Sequence, residues 1–256
     1  MRREEWICVA AAGALLLAVF AWATTVLGQG LDLPVERPAK GQPAPPKAPD
    51  PPTASQGEAP RPATIYGREL SSGSSSVVYV LDVSGSMGLD VGQFTDAAGK
   101  VTAGDRLDRA KAELEKSLNS LPPSWRFGLV AYDCTVLTWA TTLREATAPN
   151  KAEAAGWVRA LKPGGATATG LATAAGLALD RANLALVLLT DGAPNCDSVT
   201  MNGNVPPEVH RRDIRAANVQ GARIDVYGIA CPSGSTFEQF CRDVASDNNG
   251  TYTGVR

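Results

Sequence analysis

The sequence predicts an α/β fold with a doubly wound, mainly parallel sheet and one antiparallel edge strand. Three observations predict it. Short, unbroken apolar runs at 77–81 and 184–189 suit strands buried on both faces. Such runs alternate with amphipathic stretches of helical period between residues 76 and 256, the pattern of a sheet covered by helices on both sides. The short gap at Asp133-Cys134 between two strand-like runs predicts a hairpin, and with it the antiparallel edge.

The elements follow in order. VVYVL at 77–81 is rich in β-branched residues and forms the first strand. Residues 105–120 place Leu107, Ala110, Leu114 and Leu118 on one helical face, and Pro122-Pro123 ends that helix. Strands are expected at 126–132 and 135–138. A helix at 151–161 stops at Pro163-Gly164-Gly165, and a small-residue helix at 169–182 suits close packing on a sheet. The most apolar strand, 184–189, is followed by a helix at 208–218, a strand at 224–229, a helix at 237–246 and a last strand at 251–255.

The N-terminal third has a different character. From Trp6 to Leu31 there is no charge, and the 22 residues from Trp6 to Leu27 are long enough for a membrane helix, which needs roughly 20. Ala21-Trp22-Ala23 also fits a signal-peptide cleavage site, so residues 1–31 read as a transmembrane anchor or a signal peptide, with the anchor favoured by the length of the run. Arg2 and Arg3 favour a cytoplasmic N-terminus, which places the rest of the chain outside the cytoplasm. Cys8 lies too far upstream to be a lipoprotein cysteine. Ten of the 18 prolines fall between Pro34 and Pro62, so residues 32–75 read as an extended Pro-rich linker that buries no core. Residues 76–256 form the one folded domain. With 24 Lys+Arg against 26 Asp+Glu the net charge is −2, which excludes a strongly basic nucleic-acid binder.

In a doubly wound sheet ligands bind beyond the carboxyl ends of the strands. The first strand ends in Asp82-Val83-Ser84-Gly85-Ser86, the most apolar one ends in Thr190-Asp191-Gly192, and Gly164-Gly165-Ala166-Thr167-Ala168-Thr169 opens a helix between them. These segments supply two carboxylates and several hydroxyls but no His or Cys. An oxygen-only set suits Mg²⁺, Mn²⁺ or Ca²⁺, not zinc or copper. Capping of the following helices is the alternative role for each residue taken singly.

The order Asp82-x-Ser84-x-Ser86, Thr after a Gly-rich turn, then Thr-Asp-Gly at a strand end resembles a von Willebrand factor type A (VWA) domain with a metal-ion-dependent adhesion site. The resemblance runs from about Ser76 to Val255. It implies the Rossmann-like fold of that family. It also implies that Ser84 and Ser86 ligate the metal directly, Thr167 directly or through water, and that Asp82 and Asp191 bind it or its waters. Thr167 is chosen over Thr169 because the family's Thr is the first of its Thr-x-Thr pair. A carboxylate from a protein partner would fill a remaining coordination position. The function implied is non-enzymatic, metal-dependent protein binding outside the cytoplasm.

Two alternatives come from other classes. A Mg²⁺-dependent phosphatase would use Asp82 as nucleophile, but Ser84 stands where its second Asp belongs, and no basic residue lies in the three motifs. A chelatase-type subunit recruiting an ATPase would be cytoplasmic, which the N-terminal segment opposes. Two long loops, 87–104 and 192–207, are expected to flank the metal face as the partner-specificity region, so that deleting 87–104 would alter ligand choice and spare folding. Four cysteines in an exported domain suggest disulfides. Pairing within Cys196, Cys231 and Cys241 is expected, with Cys134 left free. His210, with Arg211, Arg212 and Arg215, is expected on a solvated helix face, and no phosphate loop or GxSxG elbow is present.

Overall fold

The computed structural model describes residues 62–70, 75–192, 194–196 and 205–255. The expected membrane segment and most of the Pro-rich linker lie outside these residues, as does most of the 192–207 loop. Among the described residues no helix is long and apolar enough to cross a membrane.

A small hairpin of β1 (Thr64–Ile65) and β2 (Arg68–Glu69) comes first. The order then runs β3 (Ser76–Asp82), β4 (Gly92–Thr95), β5 (Val101–Gly104), α1 (Arg106–Ser120), β6 (Arg126–Tyr132), β7 (Val136–Thr138), β8 (Arg144–Glu145), α2 (Ala148–Ala160) and α3 (Thr169–Ala178). It ends with β9 (Ala185–Thr190), α4 (Pro207–Ala217), β10 (Arg223–Ile229), α5 (Thr236–Asp247) and β11 (Tyr252–Val255). The main sheet has the order β11-β10-β9-β3-β6-β7, with β8 also pairing β6. Every pairing is parallel except those of β7 and β8 with β6, so the predicted fold class and hairpin edge are both present.

Alternation along β3 divides the core. Val77, Tyr79 and Leu81 meet Leu107, Leu114 and Leu118 of α1 and Ala154 and Val158 of α2. Val78 and Val80 pack with Ala172 and Leu177 of α3, Ile214 of α4 and Phe240 and Val244 of α5. Within the core Tyr79 and Ser117 share a 2.7 Å hydrogen bond, and Tyr132 and Thr169 one of 3.2 Å.

Several boundaries and roles differ from expectation for identifiable reasons. Helix α2 begins three residues early because Thr147 caps it and Pro149 occupies its first turn. The 87–104 segment is not a plain loop, because β4 and β5 pair antiparallel from Thr95↔Val101 to Gly92↔Gly104. Residues 64–69, assigned to the linker by composition, pack on the domain: Ile65 is buried in the core and the Tyr66 ring stacks on Tyr227 at 5.2 Å.

His210 is buried rather than solvated, and its Nδ1 accepts the Gly170 N–H at 3.1 Å. A Cβ at Gly170 would stand 2.9 Å from that nitrogen, so the close approach of α4 to α3 requires glycine there. Arg211 is not a free surface cation either, because it pairs with Asp243 at 2.7 Å and with Asp247, tying α4 to α5.

The cysteine expectation is overturned. Cys134, after β6, is bonded to Cys196, after β9, and Cys231 and Cys241 are thiols. Parallel strands in the order β9-β3-β6 bring the ends of β6 and β9 to one edge of the sheet, although they are far apart along the chain. The disulfide closes a loop with a sequence separation of 62. Chain entropy gives such a cross-link about 4 kcal/mol. A Cys134→Ser/Cys196→Ser double variant is therefore expected to lose stability of that order in urea unfolding, and the wild type should lose it on reduction.

Candidate metal centre

The sheet order fixes where a site forms. From β3 the chain crosses to β6 on one side, and from β9 it crosses to β10 on the other. The ends of β3 and β9 therefore form the topological switch point, where diverging connections leave a crevice. Asp82 is the last residue of β3, and Asp191 directly follows β9.

Asp82 is completely buried, and both of its carboxylate oxygens are held. The Ser84 N–H donates to Oδ1 at 2.8 Å, and the Thr190 hydroxyl donates to Oδ2 at 2.7 Å. Beyond Asp82 the backbone enters a short 3₁₀ turn at Gly85–Gly88 with Ser84 as its cap. The turn presents the hydroxyls of Ser84 and Ser86, 3.3 Å apart, and Ser86 Oγ donates to Asp191 Oδ1 at 2.9 Å. Asp82, Ser84, Ser86 and Asp191 are thus joined through hydrogen bonds at one edge of the sheet.

Thr167 reaches the same edge through its loop. The Gly164 N–H donates to the Val83 carbonyl at 2.8 Å, and the Gly85 N–H to the Gly165 carbonyl at 3.1 Å. Gly165 has φ +69°, and a Cβ there would approach Asp133 to 2.8 Å, so the turn needs glycine. Asn195 clamps Thr167: its Oδ1 accepts the Thr167 N–H at 2.9 Å and its own N–H donates to the Thr167 carbonyl at 2.9 Å. Thr169 is fully buried and bonded to Tyr132, which leaves Thr167 as the loop threonine nearer the surface.

Three residues that sequence reasoning passed over take part. Thr190 lies within the Thr-Asp-Gly motif, yet only the sheet register brings it to Asp82. Asn195 belongs to a segment read as a loop. Arg106, the first residue of α1, donates from Nη1 to Asp191 Oδ2 at 2.7 Å and from Nη2 to Asp90. A basic residue therefore does stand at the site, contributed from outside the three motifs.

Two adjacent buried carboxylates raise the cost of charge. Burial pushes the Asp82 carboxyl up from 3.8 to about 6, the charge of Asp191 adds to the rise, and the bonds from Ser84 and Thr190 oppose it. Among the described residues no cluster of three or more His, Cys, Asp or Glu side chains stands at metal-holding distances. The convergent donors are two carboxylates and hydroxyls. An all-oxygen group of this kind fits a hard divalent cation that retains water.

The profile of the von Willebrand factor type A domain matches residues 76–255. The chain belongs to that family. Solved structures with the same fold include a von Willebrand factor type A protein from Catenulispora acidiphila, at 20% identity and TM-score 0.51 over 71% of this chain and 38% of that one. Another is the pilus adhesin SpaC from Lactobacillus rhamnosus GG, at 16% identity and TM-score 0.52 over 70% of this chain and 28% of that one. A third is the corresponding domain of the type V pili tip protein Mfa5 from Porphyromonas gingivalis, at 14% identity and TM-score 0.52 over 70% and 89%. The chain thus spans well under half of the first two proteins. No curated protein matches the sequence.

The raised Asp82 sets a pH dependence for the metal-free VWA domain. Below pH about 4 the group is protonated both folded and unfolded. Between about 4 and about 6 only the unfolded state ionises, so stability falls as pH rises through the folded value. The loss attributable to Asp82 is about 3 kcal/mol by neutral pH. In chelator, urea unfolding at pH 4.5 to 7.5 is expected to show this decline in wild type and a flatter profile in Asp82→Asn.

Proposed function

We propose that this VWA domain is a non-enzymatic, divalent-metal-dependent protein-binding module that acts outside the cytoplasm. The observation that carries the reading is the bonded group Asp82, Ser84, Ser86 and Asp191 at the switch point, with the Thr167 loop stitched beside it. Mg²⁺ or Mn²⁺ is the preferred ion and Ca²⁺ the alternative, since each takes oxygen ligands and the smaller ions keep waters that a partner can replace.

In this reading Ser84 and Ser86 offer hydroxyl oxygens and Thr167 offers a third. Asp82 and Asp191 supply the negative charge, directly or through metal-bound water. Bound, the ion supplies a Lewis-acidic position for a carboxylate oxygen of the partner protein. The hydrogen bonds from Ser84 N–H and Thr190 Oγ1 keep the Asp82 carboxylate oriented, and the Asn195 clamp keeps Thr167 at the rim.

The proposed location is supported by the uncharged N-terminal run, read as an anchor or signal, and by the Cys134–Cys196 bond, which suits an oxidising compartment. The pilus adhesin and pilus tip protein that share the fold give a precedent for display at a cell surface, at identities that speak to fold alone.

Calorimetric titration with Mg²⁺ and Mn²⁺ tests the metal. Wild type is expected to give binding heat and thermal stabilisation, and Asp82→Ala neither; no heat from wild type would reject the reading. Thr190→Val removes the hydroxyl that donates to Asp82 Oδ2, together with its contacts to the Gly192 backbone, and it is expected to weaken metal binding by about 10- to 100-fold. Capture of partners from the host envelope fraction, with and without chelator, then tests whether protein binding depends on the ion.

A further inference from the structure

Arg106 is the unexpected component of the site. Its guanidinium lies between two carboxylates, Asp191 on the metal face and Asp90 in the 87–104 insertion. Asp191 has 3% of its side chain exposed, Arg106 16% and Asp90 58%, so the pair nearest the site is the one removed from water. Screening there is weak and a full charge counts for more than at the surface.

The arginine is also tied to the insertion through its backbone. The Arg106 N–H donates to the Leu89 carbonyl at 3.1 Å, and Arg109, one turn later, donates to the Asp90 carbonyl at 3.0 Å. Asp90 itself takes a left-handed conformation, φ +54°, which Asp tolerates better than most residues but which these arginine contacts help to hold. The turn carrying Asp90 leads directly into the β4–β5 hairpin.

Asp191 Oδ1 accepts from Ser86 and Oδ2 from Arg106, so both oxygens of this carboxylate are engaged by the chain's own groups. An ion drawing on Asp191 has to share it with a cation already in place, at the cost of repulsion between two positive charges. We propose that Arg106 is the resident counter-cation of the site, holding Asp191 when no metal is bound and competing with the divalent ion for it. The 87–104 insertion thereby regulates metal affinity through the Asp90–Arg106 arm. This inference rests on the metal-site reading above. It assigns the insertion a role in metal loading, in addition to any contact it makes with a partner.

The opposite role, orientation of Asp191 for the metal, predicts the opposite sign, so titration decides. Mn²⁺ and Mg²⁺ are titrated into the full chain in detergent as wild type, R106Q and R106K, with folding checked by circular dichroism. R106Q is expected to bind Mn²⁺ about tenfold more tightly than wild type, the order by which a neighbouring guanidinium weakens a carboxylate's hold on a cation. It should also melt at a lower temperature in chelator, where Asp191 has lost its partner. R106K keeps the charge and is expected to stay close to wild type.

Equal or weaker binding by R106Q, with wild type binding normally, overturns the competition and leaves the metal site standing. Binding by neither protein overturns the metal reading and this inference with it. If R106Q does not fold, hydrogen exchange in the wild-type chain decides. Mn²⁺ is expected to speed exchange of the amides in 90–104 as Arg106 is displaced from Asp191, and unchanged exchange there with metal bound overturns the proposal.

Discussion

The structure depends on a conflict at the end of β3. A strand buried on both faces delivers a carboxylate, Asp82, to a fully buried position, and its neighbour β9 delivers Asp191 beside it. Buried charge is costly unless it is paired or hydrogen-bonded. The fold answers with short local bonds: Ser84 N–H and Thr190 Oγ1 to Asp82, and Ser86 Oγ and Arg106 to Asp191. Burial and the neighbouring Asp191 charge outweigh these bonds, so the Asp82 carboxyl is held above its ordinary value. The site therefore keeps unmet negative charge at the mouth of a crevice, which is the ground for the cation-binding role proposed above.

The surrounding architecture holds that arrangement in place. The Gly164–Gly165 turn is bonded to the backbone on both sides of Ser84, so the threonine loop and the serine turn share one scaffold. Asn195 and the Cys134–Cys196 bond fasten the far side of the same loop to the strand ends. Each element at this edge is therefore constrained by at least one partner distant in sequence. Such constraints fix the rotamers of these side chains in advance.

Much of the fold and part of the site were legible in the sequence. The continuous apolar runs specify double-sided burial, and the helical period specifies the covering layers, because both depend on local pattern. Asp82, Ser84 and Ser86 sit on one short segment, so their proximity is local too. Thr190, Asn195 and Arg106 were not legible, because their roles depend on which strands are neighbours and which helix begins beside them. The disulfide fails for the same reason: the ends of β6 and β9 meet only through the order β9-β3-β6. His210 looked like a surface residue because charged neighbours surround it in sequence, but the α3–α4 contact buries it against Gly170.

The same logic explains why the insertion after Ser86 tolerates its length. Ordering a long segment has an entropic cost that grows slowly with the number of residues, provided its ends are held close together. Here Leu89 is held to the start of α1 by the Arg106 N–H, and the hairpin closes on itself from Thr95↔Val101 to Gly92↔Gly104. The chain leaves the serine turn and returns to Asp105, the N-cap of α1, whose side chain accepts from the Asp108 N–H. The residue after that cap is Arg106, so the point where the insertion rejoins the core is also the point that delivers a cation to Asp191. Because anchoring the loop and neutralising the carboxylate fall to one side chain, a change in the loop is transmitted to the charge at the strand end.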